Sequence, residues 1–157
     1  MIIKSFKGLL ADEGQERIHL STNDGRMGYR IVKFELMGNA PGTVRTEHIV
    51  KVYKVEQAAV DGIIDFSNQT LIASGIYTNQ TDANDAYSLV TMFDNEIFNQ
   101  DIFVTCFDKG TQNKPVNWYL ELEQIELSLN EQTVATLQDI RNIESSGAWV
   151  QQFTILK

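Results

Sequence analysis

Residues 16–37, ERIHLSTNDGRMGYRIVKFELM, decide the fold class. At the start of this stretch Ile18 and Leu20 alternate with His19, the period-two pattern of a strand with one apolar face. Asn23, Asp24 and Gly25 follow, and these residue types tolerate the positive φ of a tight turn. Residues 29–37 then set Val32, Phe34 and Leu36 on one face, with Arg30, Lys33 and Glu35 among the rest. Two such runs around such a turn predict a β-hairpin, and with it an antiparallel β protein.

The chain on either side reads the same way. Residues 1–10, MIIKSFKGLL, have only short apolar patches and no small-residue cleavage signature, so they read as a first strand and not as a signal peptide. The run GNAPG at 38–42 is a clear break. Residues 43–55 form a long β-branched strand with apolar residues on both phases, so both of its faces are expected to be covered over part of its length. Asp61 and Gly62 mark a turn, residues 71–77 a strand, and the polar run 79–87 a loop. Strands are expected at 88–93 and 101–107, with a hairpin-type connection at 108–115. In 116–127, Trp118, Leu120 and Leu122 share a face while Ile125 and Leu127 fall on the other phase, which suggests a bulge near residues 123–124.

One helix follows. Ser128 with Glu131 three residues on is a capping-box pattern, in which each side chain satisfies the other's free backbone N–H. Val134, Leu137, Ile140 and Ile143 make a one-sided apolar stripe, and Ser145, Ser146 and Gly147 stop it. The tail 148–157 is again apolar, with Trp149, Phe153, Ile155 and Leu156. The expected fold is mainly β: an antiparallel β-sandwich or jelly roll with one C-terminal helix or arm. Residues 1–127 would form the sandwich domain. Residues 128–157 would form the helix and apolar arm, either within that domain or as an interface arm.

Composition excludes several function classes. With 157 residues and 43% apolar content, the chain can bury a real core. No run approaches the roughly 18 apolar residues of a membrane-spanning helix, so no membrane partner is expected. Residues 1–81 carry nine acids and nine bases, while residues 82–157 carry twelve acids and four bases, which gives the whole net charge of −8. That distribution speaks against a nucleic-acid partner, which needs a basic face. It leaves an acidic solvated surface or a docking face for a basic partner. The single cysteine, Cys106, lies in the apolar run IFVTCF and is expected to be a buried small hydrophobe in a protein made in a reducing compartment.

Signals for catalysis are thin. The two histidines, His19 and His48, sit in no nucleophile signature; His19 is expected on a solvated strand face, and His48 lies among charged neighbours. Asp82, Asn84 and Asp85 could offer oxygen ligands to calcium, but they lack the glycine and glutamate spacing of an EF-hand. Glu121 or Glu123 with Asp94 or Asp101 could in principle form a hydrolytic carboxylate pair, although period-two acids on a solvated strand face are the plainer reading. No cofactor and no catalytic residue is expected. The unusual feature is apolar: Val134, Leu137, Ile140, Ile143, Trp149, Phe153, Ile155 and Leu156 lack an obvious home inside a closed sandwich, so they are the candidate interface residues.

Three stretches, LSTNDGRMGYRIVKFELM (20–37), FDNEIFNQDIFVT (93–105) and NWYLELEQIELSLNEQTVATLQDIRN (117–142), resemble a family of small virion structural proteins of marine tailed bacteriophages. The resemblance spans roughly residues 2–144 and rests on strand and hairpin patterns with no catalytic motif; the ending after Gly147 lies outside it. It implies a non-enzymatic virion protein, assembled in the bacterial host cytoplasm and present in the particle. The role expected is capsid decoration as a cement protein, with the major capsid protein or the chain itself as partner and homo-oligomers as the state. A connector or tail-associated structural protein is the neighbouring alternative. A carbohydrate-binding β-sandwich module is another, with Tyr77, Tyr87 and Trp149 as candidate aromatics.

Overall fold

The computed structural model describes residues 1–22, 25–43, 45–79, 86–110 and 113–145. Among the described residues eight strands precede one helix: β1 (Ile2–Leu10), β2 (Gln15–Ile18), β3 (Met27–Gly38), β4 (Thr46–Tyr53), β5 (Leu71–Asn79), β6 (Tyr87–Met92), β7 (Ile102–Asp108), β8 (Val116–Glu126) and α1 (Leu129–Ser145). They form two antiparallel sheets, a three-stranded one in the order β1-β8-β3 and a five-stranded one in the order β2-β7-β4-β5-β6. The chain is mainly β and antiparallel, as its alternation predicts, and its core lies between the two sheets. Phe34, Leu36, Trp118, Leu120 and Leu122 from the small sheet meet Val50, Val52, Ala73, Val104 and Cys106 from the large one. Each valine, leucine or phenylalanine side chain among them contributes roughly 1.5–3 kcal/mol when taken fully out of water.

The predicted hairpin is not formed. β2 pairs with β7, and β3 pairs with β8, so the chain passes from one sheet to the other between Ile18 and Met27. Asp101, just before β7, holds this crossing: its Oδ1 accepts the backbone N–H groups of Leu20 and Ser21, both at 2.8 Å. Gly25 takes a left-handed φ of +66°, which glycine adopts without strain. Two apolar-alternating runs around a turn specify two strands, but not that they pair with each other.

The bulge also lies elsewhere than expected. The β8 ladder runs through residues 123–126 without a shift, and the irregularity falls in β3, where Ile31 faces Leu122 and Lys33 faces Glu121. Val32 is the extra residue. It switches the phase of β3, so Tyr29 and Ile31 are buried ahead of it and Phe34 and Leu36 after it.

The central strand β4 is covered on both faces, and Glu47 alone among its residues is exposed. Val50 and Val52 face the other sheet; on the opposite face the irregular segment 54–70 folds over Ile49 and Lys51. The Lys51 ammonium donates to Asp61 Oδ1 at 2.8 Å and to the Ile63 carbonyl at 2.6 Å, fastening that cover. One end of the core is polar. His48 is buried between its cross-strand neighbours Tyr77 and Asp108, and its Nε2 donates to the Lys114 carbonyl at 2.7 Å. Gly38 is needed there, because a Cβ on it would stand 2.5 Å from the Tyr77 ring.

Candidate functional site

The helix α1 begins where its sequence says it should. Glu131 N donates to the Ser128 hydroxyl at 3.3 Å, satisfying one of the free donors at the helix start, and Gln132 N donates to the Ser128 carbonyl at 2.9 Å as the first bond of the helix ladder. Among its described side chains, the inner side is not formed by Val134 or Leu137. Ala135 is buried, and Thr136 Oγ1 accepts from the Nδ2 of the fully buried Asn99 at 2.9 Å. This turns Val134 and Leu137 outward, 56% and 59% exposed. A small residue and a threonine let the helix sit close, and the larger apolar side chains are left facing solvent.

A loop runs beside the helix. Phe93 N donates to the Ile72 carbonyl at 3.0 Å, Glu96 N to the Phe93 carbonyl at 3.2 Å, and Phe98 exchanges two backbone hydrogen bonds with Tyr29 at 2.8 and 3.0 Å. Thus residues 93–97 hang between two fixed ends, with Ile97 exposed. Between this loop and α1 lie two adjoining clefts, each of about 550 Å³. One is polar, lined by Lys54, Phe66, Asn68, Asp94 and Glu96, with Gln138 on the shared wall. The other is more apolar, lined by Ile97, Leu127, Val134 and Ala135, and bounded by the same Glu96 and Gln138. The buried Lys54 ammonium lies 3.2 Å from the Glu96 carboxylate. At the polar mouth Phe66 meets Phe93 edge to face, centroids 5.3 Å apart, and is 57% exposed.

Of the eight candidate interface residues, Val134 lines the apolar cleft and Leu137 stands exposed on the same helix. The side chains of Ile140 and Ile143, and all of Trp149, Phe153, Ile155 and Leu156, lie outside the described residues. So does the loop with Asp82, Asn84 and Asp85. Among the described residues no group of three or more His, Cys, Asp or Glu side chains is placed to hold a metal ion.

The carboxylates weighed for hydrolysis are engaged at separate places. Glu121 accepts the Tyr119 hydroxyl at 2.7 Å, a bond that raises the Tyr119 pKa, and Glu123 pairs with Arg30 at 2.5 Å. Asp94 lines the polar cleft. Asp101 is buried in the crossing described above, where Arg17 and the exposed His19 also meet its Oδ2. Burial alone would push the Asp101 carboxyl up; the N–H groups of Ser21 and Leu20 and the Arg17 guanidinium outweigh it and hold the group well below the usual carboxylate range. Cys106 is fully buried as expected, and burial, with the Asp12 and Asp108 charges behind it, pushes its thiol up to about 12. Tyr77, a candidate sugar-stacking aromatic, is a core residue instead; Tyr87 is exposed, and Trp149 lies outside the described residues. Phe66 was missed because its neighbourhood, DFSNQT, carries no strand alternation to fix a face.

No family model matches the chain, and no curated protein matches it. A crystal structure described as that of "a putative glycoside hydrolase" from Bacteroides thetaiotaomicron is similar at 12% identity over 78% of this chain, with a TM-score of 0.28. The chain spans 41% of that protein's length, and a likeness this slight carries nothing about fold or activity.

Proposed function

We propose that this chain is a non-enzymatic structural protein of a tailed-bacteriophage virion, decorating the capsid and working by gripping neighbouring subunits. The observation that carries the reading is the orientation of α1. A helix held to its own domain by Ala135 and Thr136, with Val134 and Leu137 turned to solvent beside an apolar cleft, keeps its apolar side available for another surface. Many copies that each bury a modest patch can hold a shell together, because avidity multiplies weak contacts. The resemblance over residues 2–144 supports the same reading.

Mass spectrometry of purified virions tests it through stoichiometry. A copy number on the order of hundreds per particle fits capsid decoration, whereas about six or twelve copies would move the protein to the symmetric connector or tail. Absence from washed particles would end the virion reading altogether. Leu137→Asp is expected to lower occupancy on particles while leaving the domain folded, because the side chain is exposed.

A specific observation favours a second reading, a glycan-binding module. The exposed Phe66 ring borders a polar cleft with Lys54, Asn68, Asp94 and Glu96, and an apolar ring beside a few fixed polar groups suits a sugar's apolar face and hydroxyls. A glycan array read with the natural chain and with Phe66→Ala decides it: a ligand bound by the first and lost by the second supports the module, and no binder removes it.

A further inference from the structure

The apolar cleft beside α1 is an unfinished surface. The buried Leu127 and Ala135 line it together with Ile97 and Val134, which are 39% and 56% exposed, and Leu137 stands exposed on the same helix. Its rim carries two acids, Glu96 and Glu131. Residues 82–157 hold twelve acids against four bases, so the same face of a second copy would bring like charges together. The chemistry that fits is an apolar segment free of acids.

The segment that follows α1 has that chemistry. Residues 148–157, AWVQQFTILK, lie outside the described residues. They include Trp149, Val150, Phe153, Ile155 and Leu156, carry no acid, and add one base, Lys157, to the half of the sequence that holds all of the net −8. The segment is also long enough. α1 ends at Ser145, eleven residues past Val134, a distance of about 16 Å along a helix axis. An extended chain covers that distance in about five residues. Gly147 stands just past the helix end, where a glycine lets the chain turn back. Residues 149–153 can therefore run past Leu137 and Val134 toward Leu127.

Tethering selects whose segment it is. A short link holds a segment near its own cleft at an effective concentration of about millimolar, well above that of other chains in dilute solution. We infer that residues 148–157 fold back along α1 and seat Trp149 and Phe153 in the cleft lined by Ile97, Leu127 and Val134 of the same chain. Such a cover is held at the surface and can be exchanged for the surface of a neighbouring subunit. The inference rests on the cleft and the tether alone, so its failure and the failure of the virion reading are separate results.

Paired cysteines in the full chain test it. Val134→Cys with Phe153→Cys is oxidised at micromolar concentration and read by intact mass and non-reducing gel. Cys106 stays out of the reaction, because it is buried and its thiol is pushed up to about 12. Leu9→Cys with Phe153→Cys is the control, since Leu9 is exposed and pairs near the start of β8, whereas α1 follows the end of that strand. The first pair is expected to close within the monomer about tenfold or more faster than the control. Iodide quenching gives a second reading, because Trp118 is buried and leaves Trp149 as the tryptophan iodide can reach. Trp149 is expected to be shielded in the natural chain, and Val134→Asp, at an exposed position that leaves circular dichroism unchanged, is expected to unshield it. Closure no faster than the control overturns the inference, as does a disulfide that links two chains. So does a Trp149 that iodide quenches freely in the natural chain, or one whose quenching Val134→Asp leaves as it was.

Discussion

Asp101 shows how a single side chain can be misjudged from its letter alone. As a carboxylate just ahead of an apolar strand it is a reasonable candidate acid; in the fold it is a buried acceptor for two backbone N–H groups some eighty residues earlier in the chain. Asp101→Ala would leave both donors unsatisfied and is expected to cost about 2–4 kcal/mol in urea unfolding at neutral pH, whereas a catalytic acid could be removed with little loss of stability. Its titration gives a second test. The folded pKa lies below the unfolded value of about 3.9, so the stability it contributes is complete above that pH and is lost as pH falls from there toward the folded value. The gap in unfolding free energy between the natural chain and Asp101→Asn should therefore be widest at neutral pH and narrow below about pH 4. Cys106 makes the opposite case, because its apolar neighbours in sequence are enough to place it. With its thiol buried and its pKa pushed up to about 12, it should resist maleimide at neutral pH in the folded protein and react once urea unfolds the chain.

At the scale of elements, the positions of the strands are legible in the sequence and their partners are not. Period-two alternation locates β3, β7 and β8 within a residue or two, since it reports burial on one side of an extended chain. It carries no information about which strand supplies the neighbouring ladder, so the strongest local turn signal joins two strands that belong to different sheets. The bulge follows the same logic. The apolar residues Tyr29, Ile31, Phe34 and Leu36 change phase within β3, so the signal was present in that strand, while the matching irregularity in β8 was only apparent. The helix start is legible in the sequence, but which side of α1 meets the sandwich is decided by Asn99, whose position depends on the tertiary fold. The cover over β4 offers a test at this scale. Burial works against the Lys51 charge, yet the Asp61 carboxylate and the Tyr53 hydroxyl outweigh it and raise its pKa, so the ammonium remains a donor to the 54–70 segment. Lys51→Met keeps the packing and removes those bonds. It should cost about 1–3 kcal/mol and speed amide exchange in residues 61–63 ahead of exchange in β4 itself.

For the whole molecule, the core between the sheets sets the stability, and both sheets contribute to it in similar measure. Leu120→Ala, in the fully buried middle of β8, is expected to lower the unfolding free energy by about 2–5 kcal/mol, several times the effect of a truncation at the exposed Leu137. The candidate site was only half visible at this scale, because its clefts arise where a loop between β6 and β7 meets a helix that follows β8, and proximity between such distant segments has no local signature.

The central strand of the small sheet, β8, is the last of the described strands in chain order, and both of its neighbours, β1 and β3, precede it by many residues. During translation those two early strands must wait on the ribosome with their apolar sides unmatched until the closing piece leaves the exit tunnel. Such an order is expected to delay closure of the small sheet, since distant pairings form late and waiting apolar segments tend to stick to one another.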